Sequence, residues 1–301
     1  MVIGLIDVDS HHFPNLCLMK LSAWHKAQGD AVEWWWGWGE YDCVYMSKVF
    51  DDTYSPDVPD PMNADEIIKG GTGYGLSNKL PDEIEHIYPD YSLYPQLTED
   101  TAYGFLTRGC PRGCSFCIVT EKEGRRSIKT ADLSEWWNGQ KNIKLLDPNI
   151  LACPDHPELL KQLSESGARV DFTQGLDARL LSKENIALIN QIRLKEIHFA
   201  WDNMQEEKAV LRGLELYAKY ANRRPHGRYA TVYVLTNYAT SFQEDLHRIY
   251  TLRDMNFDPY VMIFNKPSAP QEVRRLQSWC NNRKIFRTQP DFYKYDPKLR
   301  R

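Results

Sequence analysis

Cys110, Cys114 and Cys117 fall within eight positions of one another in RGCPRGCSFC, residues 108–117. Gly109, Pro111 and Gly113 keep this stretch from forming a helix, so it reads as a loop that presents three thiols. Thiolates are soft ligands that suit zinc, copper or iron–sulfur. Structural zinc commonly takes two ligand pairs some distance apart. Here the spacing is C-x3-C-x2-C with no evident fourth ligand; His156, close to Cys153, could join only from beyond a whole strand. A 4Fe-4S cluster has four irons, each wanting a ligand. Three cysteines leave one iron open, and an open position on a metal is where something else binds and is activated.

The elements that must carry this loop follow from the pattern around it. From about Thr101 the chain alternates strand-like and helix-like runs. The strand-like runs are Tyr103–Thr107, Ile143–Leu146, Ala168–Thr173, Glu196–Trp201, Tyr229–Leu235 and Tyr260–Phe264. The helix-like runs are Leu133–Trp137, Pro157–Ser166, Lys183–Gln191, Glu206–Ala221, Phe242–Met255 and Gln271–Cys280. Ser241 and Glu244 have the spacing of a capping box. Six βα units with right-handed crossovers curl into part of a parallel barrel, short of the eight that close a TIM barrel. Each strand turns polar at its C-terminal end: Asp147 and Asn149; Gln174, Asp177 and Arg179; Asp202 and Asn203; Thr236 and Asn237; Asn265 and Lys266. Parallel barrels build their sites at those ends, and the cysteine loop follows the first strand of the same set.

C-x3-C-x2-C after the first strand of such a series, with Phe116 before the last cysteine, resembles the radical S-adenosylmethionine (radical SAM) superfamily. The resemblance covers roughly Thr101 to Gln289. It implies a (β/α)6 partial TIM barrel in which Cys110, Cys114 and Cys117 hold a 4Fe-4S cluster and SAM chelates the fourth iron. It further implies reductive cleavage of SAM to a 5′-deoxyadenosyl radical, which takes hydrogen from a substrate. The family's second strand often ends in Gly-Gly-Glu, which accepts hydrogen bonds from the SAM amino group. This chain has LLDPNI, Leu145–Ile150, and Asp147 with Asn149 takes that place. Arg179 or Gln174 would meet the SAM carboxylate, Asp202 or Asn203 the ribose, and Phe116 and Ile118 the adenine. The substrate, and any residue catalytic toward it, is not legible. A zinc- or iron–sulfur-binding protein without SAM turnover is the reading from another class.

Residues 1–95 form a separate block. Val2–Val8 reads as a buried strand, Asn15–Gln28 as a helix stopped by Gly29, and Ala31–Trp36 and Cys43–Met46 as further strands. Glu66–Lys69 runs into the loop GGTGYG, Gly70–Gly75, and the proline- and tyrosine-rich Pro81–Pro95 reads as a linker. An α/β block before a radical SAM barrel (residues 96–301) resembles the group with a cobalamin-binding-like N-terminal domain. The cobalamin motif D-x-H-x-x-G is matched at Asp9 and His11, but Pro14 stands in place of its glycine. Glycine lets the backbone approach the corrin, so the block reads as a degenerate Rossmann-like domain, with a cobalamin-dependent methylase as the alternative. Methylthiotransferases carry three further cysteines in such a domain; only Cys17 and Cys43 occur here.

The remaining signals are weaker. Trp34–Asp42, WWWGWGEYD, reads as a strand packed on both faces. Cys17, Cys43, Cys153 and Cys280 read as small buried hydrophobes. KEGRR, Lys122–Arg126, could face an acidic substrate or an electron donor such as flavodoxin or ferredoxin. RRPHGR, Arg223–Arg228, reads as a solvated loop and the terminal KLRR as frayed. A net charge of −4 gives no general pull toward nucleic acid or anionic membrane. No apolar run reaches the length of a membrane span and no secretory leader is evident, so a cytoplasmic protein is expected.

Overall fold

The structure, a computed structural model, describes residues 1–223, 225 and 229–297. The expected basic loop Arg223–Arg228, apart from Arg223 and Pro225, and the terminal KLRR lie outside the described residues. The fold is mixed α/β, with parallel sheets of four and six strands and a two-stranded antiparallel ribbon. The chain divides into two compact units, Met1–Pro148 and Asn149–Arg301.

In the first unit β1 (Val2–Asp7), β2 (Ala31–Trp34), β3 (Tyr41–Ser47) and β4 (Ala64–Gly70) pair in parallel, in the order β2-β1-β3-β4. The helix Leu16–Ala27 connects β1 to β2, and Asn15 caps it by accepting a hydrogen bond from the Leu18 N–H. Apolar side chains of this helix, Leu18 and Leu21, bury against Ile3, Leu5 and Cys43. The opposite sheet face buries Tyr41, Val44 and Met46. Cys43, Cys153 and Cys280 are buried as expected, but Cys17 is exposed. It follows Leu16 on the helix, where Leu18, Met19 and Leu21 take the inward positions.

The tryptophan run departs from expectation. β2 stops at Trp34, and Trp34, Trp36 and Trp38 are 38%, 63% and 74% exposed, so this segment does not pack on both faces. β2 is an edge strand, and Gly37 and Gly39, both at φ +84°, turn the chain away from the sheet immediately after it.

Further along the unit, β5 (Thr101–Gly104) pairs in parallel with β8 (Asn142–Leu145). Between them β6 (Thr107–Arg108) and β7 (Ile128–Lys129) form the ribbon, which the periodicity gave no sign of. The ribbon closes the base of the cysteine loop. The expected helix Leu133–Trp137 is a single 3-10 turn, Leu133–Glu135, capped by Asp132. Gly104 lies against the indole of Trp136, and a Cβ there would come within 2.3 Å of the ring.

The second unit holds β9 (Arg169–Phe172), β10 (Leu194–Ala200), β11 (Ala230–Thr236) and β12 (Asp258–Ile263), neighbours in sequence order and all parallel. Helices His156–Glu165, Lys183–Ile189, Glu207–Tyr220, Phe242–Asp254 and Gln271–Cys280 alternate with them. Each falls within two residues of its expected bounds, because each has the 3.6-residue apolar period of a half-buried helix. Leu160, Ile186, Leu214, Ile249 and Leu276 are fully buried, and burial of each such side chain contributes about 1.5–3 kcal/mol. A short helix, Arg283–Thr288, lies beyond the expected set.

Candidate functional site

The cysteine loop springs directly from β6. Gly109 has φ +83°, and a Cβ on it would stand 2.1 Å from the Arg126 carbonyl oxygen. Gly113, also left-handed at φ +62°, lies against the Arg125 guanidinium. Glu123 fastens the start of the loop: its carboxylate accepts from Arg108 Nη1 at 2.9 Å and from the Gly109 N–H at 3.0 Å. The Cys110 N–H donates to the Gly124 carbonyl at 3.2 Å, and the Cys117 N–H to the Cys114 carbonyl at 3.0 Å. The loop is therefore a wound backbone tied at its base, with Cys110 and Cys114 partly exposed and Cys117 exposed. Phe116 is half-buried and Ile118 is 50% exposed.

Gly109→Ala should cost at least about 2 kcal/mol, from the left-handed backbone and the collision with Arg126. The expected result is a lower thermal midpoint together with faster alkylation of Cys110. An unchanged midpoint and unchanged alkylation rate would show that the loop does not depend on this turn.

Behind the loop sits Asp147. Its carboxylate is 4% exposed and accepts three hydrogen bonds: from the Leu106 N–H at 2.8 Å, the Thr107 N–H at 2.7 Å and the Thr107 hydroxyl at 2.5 Å. Those two residues lead straight into Arg108 and the cysteines. Burial raises the carboxyl to about 7, against the pull of its three donors. Asp147 thus pins the strand that carries the loop, a role its position at a strand end did not reveal.

The basic segment Lys122–Arg126 divides. Lys122 Nζ donates to the Thr72 hydroxyl in the GGTGYG loop, while Arg125 and Arg126 are exposed. That glycine loop packs tightly: a Cβ on Gly71 would lie 2.3 Å from the Lys48 carbonyl oxygen. In the DSHHFP segment, Asp9 is buried and accepts from the Val49 and Phe50 N–H groups at 2.6 and 3.0 Å. His11 is exposed and has a left-handed backbone, φ 52°.

In the second unit the expected polar strand ends form a connected chain. Asn149 Nδ2 donates to Asp177 Oδ2 at 3.2 Å. Asp177 accepts from Arg179 Nε at 2.7 Å, and Arg179 also reaches Glu206. The Glu206 N–H in turn donates to Asn203 Oδ1 at 3.2 Å. The structure thus brings Asn149, Arg179 and Asn203 together and leaves Gln174 exposed and outside this chain. Asp177 and Glu206, which link it, carry no motif of their own. Asp202 is partly buried, and burial pushes its carboxyl above the usual carboxylate range, opposed by the charge of Arg248. Arg248, missed in the sequence, is fully buried beneath the ends of β10 and β11. The only available signal was the three-residue spacing to Asp245 on one helix face.

The donor set of the loop is three thiols on one glycine-wound turn, partly to fully exposed, which suits a soft iron–sulfur group reached from solvent. Among the described residues no group of three or more His, Cys, Asp or Glu side chains converges in metal-holding geometry. The fit is one of ligand chemistry and backbone path rather than of preformed side-chain positions. Among the described residues, also, no helix is long and apolar enough to cross a membrane. No protein-family model matches the chain, and no curated protein matches it.

Proposed function

We propose that the chain is a radical SAM enzyme acting on a substrate not yet identified. In this reading residues 96–301 are the (β/α)6 partial barrel and residues 1–95 a degenerate Rossmann-like domain without cobalamin. The observation that supports it best is the cysteine loop itself: C-x3-C-x2-C, wound by two left-handed glycines, leaving a strand that a buried carboxylate holds in place. Cys110, Cys114 and Cys117 would hold a 4Fe-4S cluster. Bound there, the cluster would supply the electron that cleaves SAM to methionine and a 5′-deoxyadenosyl radical.

The chain's own residues have separable tasks. Gly109 and Gly113 let the backbone wrap close to the thiols. Phe116 and Ile118 offer apolar surface to the adenine, and Asn149, Arg179, Asp202 and Asn203 offer polar groups to the ends of SAM. Gln174, exposed beyond β9, is a further candidate there. Asp147 already accepts three hydrogen bonds, so its part is to hold the loop strand, with at most a spare lone pair for the SAM ammonium. Exposed Arg125 and Arg126 would present positive charge to an acidic electron donor of the flavodoxin or ferredoxin kind.

The test is anaerobic reconstitution with iron and sulfide, followed by iron counting and incubation with SAM and dithionite. About four irons per chain and release of 5′-deoxyadenosine are expected, both lost in Cys114→Ala. No 5′-deoxyadenosine from the wild type, with iron content equal in the variant, would leave a metal-binding protein or none.

A further inference from the structure

A net charge of −4 conceals a local excess of the opposite sign. From Lys266 to Arg287 the chain carries six basic residues and one acid, Glu272. This stretch follows β12, the strand at one edge of the six-stranded sheet. A groove of about 750 Å³ lies there, wide open to solvent. It is lined by Tyr260 on the strand, Gln277 and Asn281 at the end of the helix Gln271–Cys280, and Lys266, Arg283 and Lys284. Among the described residues its lining holds three cations and no carboxylate. Arg283 Nε pairs with Asp258 at 3.2 Å. Lys266 and Lys284 are exposed and, among the described residues, pair with no carboxylate.

The outward N–H and C=O groups of an edge strand invite another strand. Here they are already used at Val261. Its N–H donates to Asn281 Oδ1 at 2.8 Å, and its carbonyl accepts from Asn281 Nδ2 at 3.0 Å and Gln277 Nε2 at 3.1 Å. The middle of the edge is thus closed to strand addition, which disfavours a peptide paired along it. Each amide keeps a second N–H, so the groove offers donors and positive charge.

Tyr260 and Met262 share a face of β12, and Phe264 follows it; they are 43%, 47% and 37% exposed. Lys266 comes two residues later. Cations beside exposed ring surface can follow backbone phosphates while bases stack. An open groove suits a chain lying along it better than a small molecule, which an enclosing pocket would surround. We propose that this groove binds single-stranded nucleic acid, with Lys266, Arg283 and Lys284 on phosphates and Tyr260 against a base. The inference does not depend on the iron–sulfur reading and concerns the second unit alone.

The experiment measures fluorescence anisotropy of a labelled oligouridylate of about 12 nucleotides, titrated with the full chain without added metal. Saturable binding in the micromolar range at low salt is expected, with a slope of log K against log salt of about −2 for three phosphate contacts. Lys266→Gln combined with Lys284→Gln should bind at least tenfold more weakly, with a slope near about −0.7 and a thermal midpoint close to wild type. Tyr260→Leu should weaken the oligonucleotide at least fivefold and leave competition by inorganic polyphosphate unchanged. No saturable binding by the wild type would overturn the proposal. So would a double lysine variant that binds as tightly as wild type, since the contact would then lie elsewhere. Competition by polyglutamate as strong as by unlabelled oligouridylate at equal charge, or a Tyr260→Leu protein that binds RNA like wild type, would overturn the assignment to nucleic acid. None of these outcomes touches SAM cleavage, which is read separately.

Discussion

Arg248→Met is expected to lower the unfolding free energy by about 3–5 kcal/mol, the cost of removing one member of a buried ion pair. Arg248 has no exposed surface. Its guanidinium donates to the Trp201 carbonyl at 2.6 Å, the Leu235 carbonyl at 2.7 Å and the Thr240 hydroxyl at 3.3 Å. It also pairs with Asp245 at 2.5 Å. One side chain therefore gathers the last carbonyls of β10 and β11 and neutralises a buried acid. Methionine fills much of the same space and makes none of these bonds. It strands the Asp245 carboxylate, whose ionisation burial already disfavours even beside the arginine. The thermal midpoint should fall by roughly 10 °C. Two features separate this account from simple misfit. Arg248→Met combined with Asp245→Leu should recover part of the loss, because the orphaned charge is gone. The single variant should also lose less at pH 4 than at pH 8, since protonation relieves Asp245 once the arginine is absent. A double variant no more stable than the single one would mean that the carbonyl contacts, not the ion pair, dominate.

How far the sequence could have led is clear from these particular residues. The helices of the second unit and the strands between them announce themselves through period, and the box at Ser241 and Glu244 through its spacing. The cysteine loop is equally plain, since spacing and glycines are local facts. Asp147 and Arg248 are different. Each makes a bond to a backbone group 40 or more positions away, Asp147 to Thr107 and Arg248 to Trp201, and no local pattern encodes such partners. The ribbon of β6 and β7 escaped for a related reason: two-residue strands have no period to read. The tryptophans misled because aromatic residues are strand formers in bulk. Gly37 and Gly39, which turn the chain out into solvent, carry more weight there than composition does.

Asp147→Asn should cost about 2–4 kcal/mol, because an amide offers one acceptor oxygen where three donors converge and turns its own N–H groups toward the Leu106 or Thr107 N–H. The cost should depend on pH in a definite sense. The folded-state carboxyl is raised to about 7 from an ordinary value of 3.8, so the folded chain holds a proton that the unfolded chain releases. The contribution of this group is fully present below about pH 4 and is lost as pH rises through about 7. Thr107 makes both forms tolerable: its hydroxyl, 2.5 Å from Asp147 Oδ2, donates to the carboxylate and can turn to accept from the acid. Urea unfolding of wild type and Asp147→Asn at pH 5, 6, 7 and 8 reads the difference. The gap between them should shrink as pH rises and then level off. Parallel stability curves would mean that the carboxylate stays ionised throughout, with its three donors outweighing burial. Either way the strand of Leu106 and Thr107 loosens in the variant, and Cys110, three residues on from Thr107, should alkylate faster. If the loop holds iron as proposed, reconstituted Asp147→Asn should bind fewer irons per chain than wild type while keeping all three cysteines. That places the loss on positioning rather than on the ligands.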